Sequence, residues 1–483
     1  MSYLGIDLGT SGLRALLVNE NGTPIGSAES KYEVSNPERG WSEQSPTQWI
    51  AALDDALAKL SAGFDEFKRV RGIGVSGHMH GATLLDASGD VLRPCILWND
   101  TRSEKEAAAL DGLDQVREIS ANIVFPGFTA PKLLWVKNNE PEVFEKVDKV
   151  LLPAAYLNYH LTGDYVADMS DSAGTSWLDV GQRDWSDRLL DAGAMSKDQM
   201  PRLVEGSAPA GLLRRELCDR WGLGKGIVVC GGAGDNAAAA CGIGALKEGD
   251  GFVSLGTSGV VLVARDRFSP APETAVHTFC HAVPDQWYQM GVMLSATDCL
   301  NWLSRITETS PKDLTAALGT SLQAPSDVRF LPYLSGERTP HNDAQIRGGF
   351  SGLSTSTGRD DLTRAVLEGV SFGLRDSLEA LKSTGAQVDS LTAIGGGSVS
   401  EYWLSLLATI LGIPLNIPKG REFGAALGAA RLAKIAVTNA TPSDVIHAPE
   451  TGAIVRPNLD HLAAFEDAYQ GFKSAYSGFK AIQ

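Results

Sequence analysis

The sequence predicts a mixed α/β protein built from two related halves. Three observations carry that expectation: a pentapeptide that recurs near the midpoint, strand-like and helix-like patterns that alternate through both halves, and a length that allows more than one domain. Residues 8–12 of the 483 read LGTSG, and residues 255–259 read LGTSG again, an offset of 247. Each copy follows a short strand-like run, at 3–6 and 252–253, and precedes another, at 13–18 and 260–263. Each half is therefore expected to open as strand, tight turn and returning strand. The join is expected near 240–250, where ALKEGDG offers charge and glycine, dividing the chain into 1–245 and 246–483.

The other elements follow in order. Asn21-Gly22 marks a further hairpin turn. Ser45-Pro46 reads as a cap with proline at the first helical position; Ile50, Leu53, Leu57 and Leu60 keep helical spacing, and Gly63 stops the run. Residues 71–76 predict a strand, 86–89 a turn and 91–97 another strand. A strand at 226–230 enters GGAGDNAAAACG. The second half shows a long helix pattern over 362–381 and a strand over 391–394 that runs into GGGS.

Composition excludes several classes of function. Lys+Arg 42 against Asp+Glu 58 gives −16 with no basic block, which argues against nucleic acid or an anionic membrane as partner. A phosphate ligand stays open, because backbone N–H groups can bind phosphate without a basic side chain. No apolar run approaches eighteen residues and MSYLGIDLG has no leader-like core, so a cytoplasmic protein is expected. Six scattered cysteines fit buried small hydrophobes in a reducing compartment. His277, Cys280 and His281 lack the second ligand pair that a zinc site needs.

The repeat also carries chemistry. Asp7 precedes the first turn, whereas the corresponding residue in the second copy is Ser254. Two glycine-rich turns facing a cleft would offer N–H donors to a polyphosphate, and one carboxylate beside them suits Mg²⁺, which takes oxygen ligands and keeps waters. The alternative is a pair of ordinary hairpins. Asp235, at the mouth of a small-residue helix, is a candidate general base, with a helix-capping role as the alternative. Gly232-x-Gly234-x-x-Ala237 imitates a dinucleotide fingerprint, but Glu248 and Asp250 come too early for its acidic partner. SGHMHG (76–81) places His78, Met79 and His80 at a strand's end, where they could bind a polyol or could be ordinary satisfied histidines. Trp98-Asn99-Asp100 with Arg102 forms a second polar cluster, in which Trp98 reads equally as core. Gly395-Gly396-Gly397-Ser398 could let backbone lie flat against adenine or phosphate.

Together these residues resemble the FGGY carbohydrate kinases of the actin and sugar-kinase superfamily. GFTAPKLLWVKNN (127–139) and GGFSGLSTSTGRDDLTRAVLE (348–368) are similar to the two patterns that define the family, and the likeness runs from GIDLGTSG to GAALGAARLA at 424–433. Within the family, GWSEQSP, HGATLLD, ILWND, SDSAGTSWLDV and LPYLSGERTPH are most similar to the xylulokinase branch. The resemblance implies two duplicated actin-like (ribonuclease H-like) ATPase domains flanking a nucleotide and sugar cleft. It implies ATP with Mg²⁺ and a small sugar, with transfer to the 5-hydroxyl of D-xylulose. By motif, Asp235 corresponds to the catalytic base and Asp7 to the carboxylate that holds Mg²⁺ through water. Gly9, Thr10, Ser11 and Gly256, Thr257, Ser258 correspond to the phosphate turns, and Gly396, Gly397 and Ser400 to the adenosine segment. Met79 and His80, with His78, Trp98 and Asp100 beside them, correspond to the sugar-binding region. Family members are often homodimers.

One departure bears on substrate. The branch usually reads Gln-Met-His-Gly, and here position 78 is His. Gln and neutral His offer a donor and an acceptor in different geometries, so a contact there could move the substrate to ribulose, a tetritol or another polyol. An actin-like sugar sensor without kinase activity and a dinucleotide oxidoreductase are the readings from other classes. The second leaves the duplicated turns unexplained.

Overall fold

The computed structural model describes residues 1–420 and 424–482. Two seven-stranded sheets dominate it. The first runs Pro209–Leu212, Val228–Cys230, Val70–Gly77, Ser2–Leu8, Gly12–Asn19, Pro24–Lys31, with Ala233–Gly234 pairing beside Val70–Gly77. The second runs His277–Cys280, Trp287–Met293, Gly259–Arg265, Gly251–Leu255, Leu391–Ile394, Leu415–Pro418, Thr451–Val455. At the centre of each is the same unit: a strand paired antiparallel to its hairpin partner and parallel to a later strand. The two LGTSG segments close these hairpins.

The repeat is not exact in geometry. In the first hairpin Leu8 pairs with Leu13, whereas in the second Leu255 pairs with Gly259, one residue tighter. Since strand side chains alternate faces with a period of two, this shift gives each turn its own presentation from the same five residues.

Between the sheets the chain leaves a helix at Ile243 and enters the next strand at Gly251. The helix Ala425–Thr438 then returns to the first sheet. Its Leu427 and Ala430 pack with Tyr3, Leu16 and Val18. Glycines let its backbone approach: a Cβ on Gly5 would lie 1.8 Å from the Ala426 carbonyl oxygen, and one on Gly74 would lie 2.0 Å from that of Ala429. Gly428 meets the Asp235–Ile243 helix in the same way, 1.8 Å from the Ala238 carbonyl oxygen. A segment late in the chain thus covers the first sheet and braces the helix that starts at Asp235. An apolar cluster including Met79, Ala237, Phe252, Phe279 and Tyr288 joins the two halves.

The helix Pro46–Gly63 begins behind Ser45 and buries Trp49, Leu53, Leu57 and Leu60. The pattern over 362–381 lies within the helix Arg359–Ser383. The strand expected over 91–97 does not form. Val91 makes an isolated bridge to Leu85 and only Cys95–Ile96 pairs as a strand. Pro94 has no N–H for a ladder, and Arg93 is turned toward Glu43 and Glu140. Among the described residues no helix is long and apolar enough to cross a membrane.

Candidate active site

Parallel pairing places the two carboxylates. Asp7, near the end of its strand, stands opposite Ser76, whose hydroxyl donates to Asp7 Oδ1 at 2.7 Å. Ala233 pairs with Ser76 and Gly234 with Gly77, so the chain delivers Asp235 just beyond the same sheet edge as the first helical residue. Asp235 Oδ1 accepts from the backbone and side-chain N–H groups of Asn236, at 2.7 and 2.8 Å. Burial, and then the negative charge of Asp7, push the Asp235 carboxyl up to about 7. Burial also raises Asp7, against the Ser76 hydrogen bond and Arg14. With the charge of Asp7 beside it, Asp235 is the group poised near neutrality to take a proton.

The two glycine turns share a device that the sequence did not reveal. In the first, the Gly9 carbonyl accepts from the Tyr32 hydroxyl, the Thr10 carbonyl from Gln44 Nε2, and the Ser11 carbonyl from the Tyr32 amide. In the second, the Gly256 carbonyl accepts from the Thr297 amide and hydroxyl, and the Thr257 carbonyl from the amides of Ala296 and Asp298. With these carbonyls tied back, a phosphate approaching either turn meets N–H groups rather than carbonyl lone pairs. Thr297 also begins the helix Thr297–Thr307 and lines a pocket of about 780 Å³ with Asn301, Pro311, Thr315, Gly396, Gly397, Ser400 and Tyr402. Gly395 sits at φ +90°, and a Cβ on Gly397 would lie 2.8 Å from that of Leu255, so the glycine run is what lets this pocket abut the second turn. Ser400 caps the helix Glu401–Leu411. The pocket has the size and glycine-lined wall that an adenosine moiety needs.

The candidate sugar residues divide into three groups. Met79 is buried against the position of the absent Gly234 Cβ and receives the Tyr288 hydroxyl at 3.7 Å. His80 has φ +70°, a left-handed conformation that few non-glycine residues adopt. Its ring stacks on Phe128 with centroids 4.5 Å apart. Burial takes the imidazole pKa down to about 3. Its Nδ1 lies 2.7 Å from the Gly174 carbonyl oxygen. A carbonyl only accepts, so Nδ1 carries the hydrogen of the neutral ring and Nε2 keeps its lone pair for a hydroxyl donor. Trp98, 37% exposed, donates from Nε1 to the Thr10 hydroxyl and links this region to the first turn.

His78 and Asp100 lie elsewhere. His78 is 1% exposed and packs edge-on against Trp49 in the core of the first half, with ring centroids 5.5 Å apart. The Asp100 carboxylate is spent on the Arg102 guanidinium and the Arg102 and Ser42 amides. Arg102 in turn stacks under Trp41 at 3.7 Å and reaches Glu43. Asp100 therefore braces the loop in this structure instead of facing the cleft.

Several residues near the site lie in or beside the segments that carry the family likeness, but one sequence did not show what each of them does. Asp168 and Asp171 are buried by the Asp235 helix, and burial raises both carboxyls. Arg338 lies over Phe125 and hydrogen-bonds to His277 Nε2 at 3.2 Å, with no ion pair among the described residues. Lys132 and Thr129 both donate to the His80 carbonyl. All these contacts join residues far apart in the chain, which one sequence does not display.

The pattern that describes the N-terminal domain of the FGGY family of carbohydrate kinases matches residues 2–242, and that of its C-terminal domain matches 251–437. The chain belongs to the FGGY family of carbohydrate kinases. It is 50% identical over 436 residues, 90% of either chain, to a xylulose kinase of Escherichia coli (strain K12). A crystal structure described as a xyloylose kinase from Brucella ovis superposes with a TM-score of 0.98 at 55% identity, covering 100% of both chains. The xylulose kinase from Rhodospirillum rubrum superposes with a TM-score of 0.91 at 28% identity, covering 100% of this chain and 99% of that one. The two-sheet architecture is thus the actin-like, two-domain fold of FGGY kinases. Membership makes the chain a phosphotransferase acting on an alcohol group, with a sugar and ATP as its small-molecule partners.

Proposed function

We propose that this FGGY kinase transfers the γ-phosphoryl group of ATP to the 5-hydroxyl of D-xylulose, giving D-xylulose 5-phosphate and ADP. The observation that carries the chemistry is Asp235, partly exposed, raised by burial and by Asp7 to titrate near neutrality, and set beside Asp7 at the edge that holds the first turn. The substrate rests on the xylulose kinases that the chain resembles along its whole length. Asp235 takes the proton as the hydroxyl oxygen attacks, the new O–P bond forms, and the bond to the bridging oxygen of ADP breaks. Phosphoryl transfer asks for positioning and charge stabilisation more than covalent help. The amides of Thr10, Ser11, Gly256, Thr257 and Ser258 hold the phosphates, while Gly9 shapes the first turn by donating its own amide to the Gly12 carbonyl at 3.0 Å; Gly396, Gly397 and Ser400 seat the adenosine, and Met79, His80 and Trp98 hold the sugar.

Asp7 fits Mg²⁺. No group of three or more potential protein ligands gathers among the described residues, and a lone carboxylate beside a phosphate turn matches an ion that keeps its waters and takes the rest of its ligands from the phosphates. When bound, Mg²⁺ neutralises charge on the transferring phosphate. The inward packing of His78 favours D-xylulose over a shifted substrate, because the His–Gln difference then falls on the core side of the loop. Division at 245/246, a cytoplasmic location supported by six free, buried cysteines, and a homodimer complete the proposal.

ADP release with Mg-ATP, measured across D-xylulose, D-ribulose, L-xylulose, L-ribulose, xylitol, erythritol and glycerol, tests it. D-Xylulose should lead, and Asp235→Ala should lose roughly 10²–10⁴ in turnover while sugar binding survives. Preference for another sugar would keep the mechanism and move the substrate. Sugar-independent ADP release, or ATP binding without release, would favour the sensor.

A further inference from the structure

The family segment 127–139 contains a lysine with no evident solvent or ionic role. Lys132 is fully buried, and no carboxylate ion-pairs with it among the described residues. Burial draws its ammonium down to about 7. A buried cation without a counter-ion is costly to maintain, so the contact it does make needs explaining. Its Nζ donates to the His80 carbonyl oxygen at 2.8 Å, and the Thr129 hydroxyl donates to the same oxygen at 3.2 Å. Phe128, the residue before Thr129, stacks on the His80 ring. One stretch of five residues therefore grips His80 at both ends, its ring face through Phe128 and its carbonyl through Thr129 and Lys132.

His80 needs such a grip. With φ at +70° it occupies the left-handed region, which costs a non-glycine residue more than the extended or right-handed helical regions do. Fixing the carbonyl fixes the peptide plane after His80. With the backbone so held, the stacking on Phe128 and the Nδ1–H bond to the Gly174 carbonyl orient the ring and leave Nε2 as its unspent acceptor.

We propose that Lys132 is a positioning residue for the sugar: by clamping the His80 carbonyl it locks the left-handed backbone at His80 and holds Nε2 in place to accept a hydroxyl of the bound polyol. The proposal rests on the reading that His80 meets the sugar.

Four proteins test it: the unchanged enzyme, Lys132→Met, His80→Ala and the double variant. Lys132→Met should lower kcat/KM for the sugar by about 10–100-fold, as expected when a hydrogen bond acting on the transition state is lost. KM for ATP should not move. In the His80→Ala background the same substitution should cost no more than about twofold, because the clamp has nothing left to aim. Histidine ¹⁵N spectra should show the Nδ1–H form of His80 in the unchanged enzyme and its loss in Lys132→Met. Multiplying losses in the double variant, or a Lys132→Met enzyme within about twofold of the unchanged one, would overturn the proposal. If Lys132→Met does not fold, Thr129→Val removes the second donor without touching the charge. It should reduce sugar kcat/KM at least about threefold, again only while His80 is present, and no reduction overturns the proposal. A silent His80→Ala would also defeat it, while loss of activity in Asp235→Ala would leave the kinase reading intact.

Discussion

The raised carboxyl of Asp235 makes a prediction at the scale of one residue. Its base form is the useful one, and burial together with the charge of Asp7 places its titration at about 7. Log kcat/KM for the sugar should therefore rise with unit slope as pH increases toward about 7 and level above it. Asp7→Asn removes the like charge and should shift that limb toward acid, even though it also weakens the dependence on Mg-ATP. A pH profile measured from about 5.5 to 8.5 checks both; a limb that stays put in Asp7→Asn would mean that burial alone sets Asp235. Individual residues were unevenly legible. Asp235 was readable because glycines before it and alanines after it announce a strand end meeting a close-packed helix. The different fates of His78 and His80, two positions apart, were not readable. One faces Trp49 and the other Phe128, and those rings come from segments on opposite sides of the motif.

At the scale of elements, the returning helix Ala425–Thr438 is the piece whose position matters most and whose partner was least legible. GAALGAARLA marks the end of the family likeness, but nothing in it says that it crosses back to the sheet of the first half. The glycines are the physical link, since the close approaches at Gly5, Gly74 and Gly428 leave no room for a methyl group. Gly5→Ala and Gly428→Ala should each cost at least ~2 kcal/mol of stability in urea unfolding, by forcing packed backbones apart. Gly63→Ala is the control. That glycine ends the helix Pro46–Gly63 with nothing within 4 Å of its Cβ position, so alanine there should be neutral or stabilising by up to ~1 kcal/mol. Equal losses at all three positions would show that the returning helix does not depend on glycine contact. The repeat gave both sheet centres, because strand, turn and strand are local. It did not give the one-residue difference in hairpin register, which depends on how each turn is held from outside.

At the scale of the whole molecule, the buried ionisable groups predict how stability depends on pH. Burial pushes Glu337 up to about 8, and Asp168, Asp235 and Glu368 to about 7. In the unfolded chain these carboxyls titrate near 4. Between those limits the folded state keeps protons that the unfolded chain has released, so their contribution is lost as pH rises through about 7–8. The histidines act oppositely. Burial takes His78 and His80 down to about 3 and His281 to about 4, so the stability that they lend at neutral pH is lost as acid protonates the unfolded chain from about 6.5 downward. Lys132, depressed to about 7, opposes the carboxyls above neutrality with a single proton. Higher still, Cys95 at about 11 and Cys230, Cys241 and Cys280 at about 12 add to the carboxyls' loss, because unfolded thiols ionise near 8.5. Below about pH 6.5 the three histidines offset most of the four carboxyls' loss, and above it they no longer do, so the Tm of the ligand-free protein should change little up to about pH 6 and decline toward about 8.5. Glu337→Gln keeps an acceptor for the Leu294 and Arg338 amides that the carboxylate now serves, and it should make the decline above neutrality shallower. A Tm that climbs steadily from pH 6.5 to about 8.5 would mean that these carboxyls already ionise in the folded protein at neutral pH, and Asp235 would then have lost the burial on which its role as a base depends.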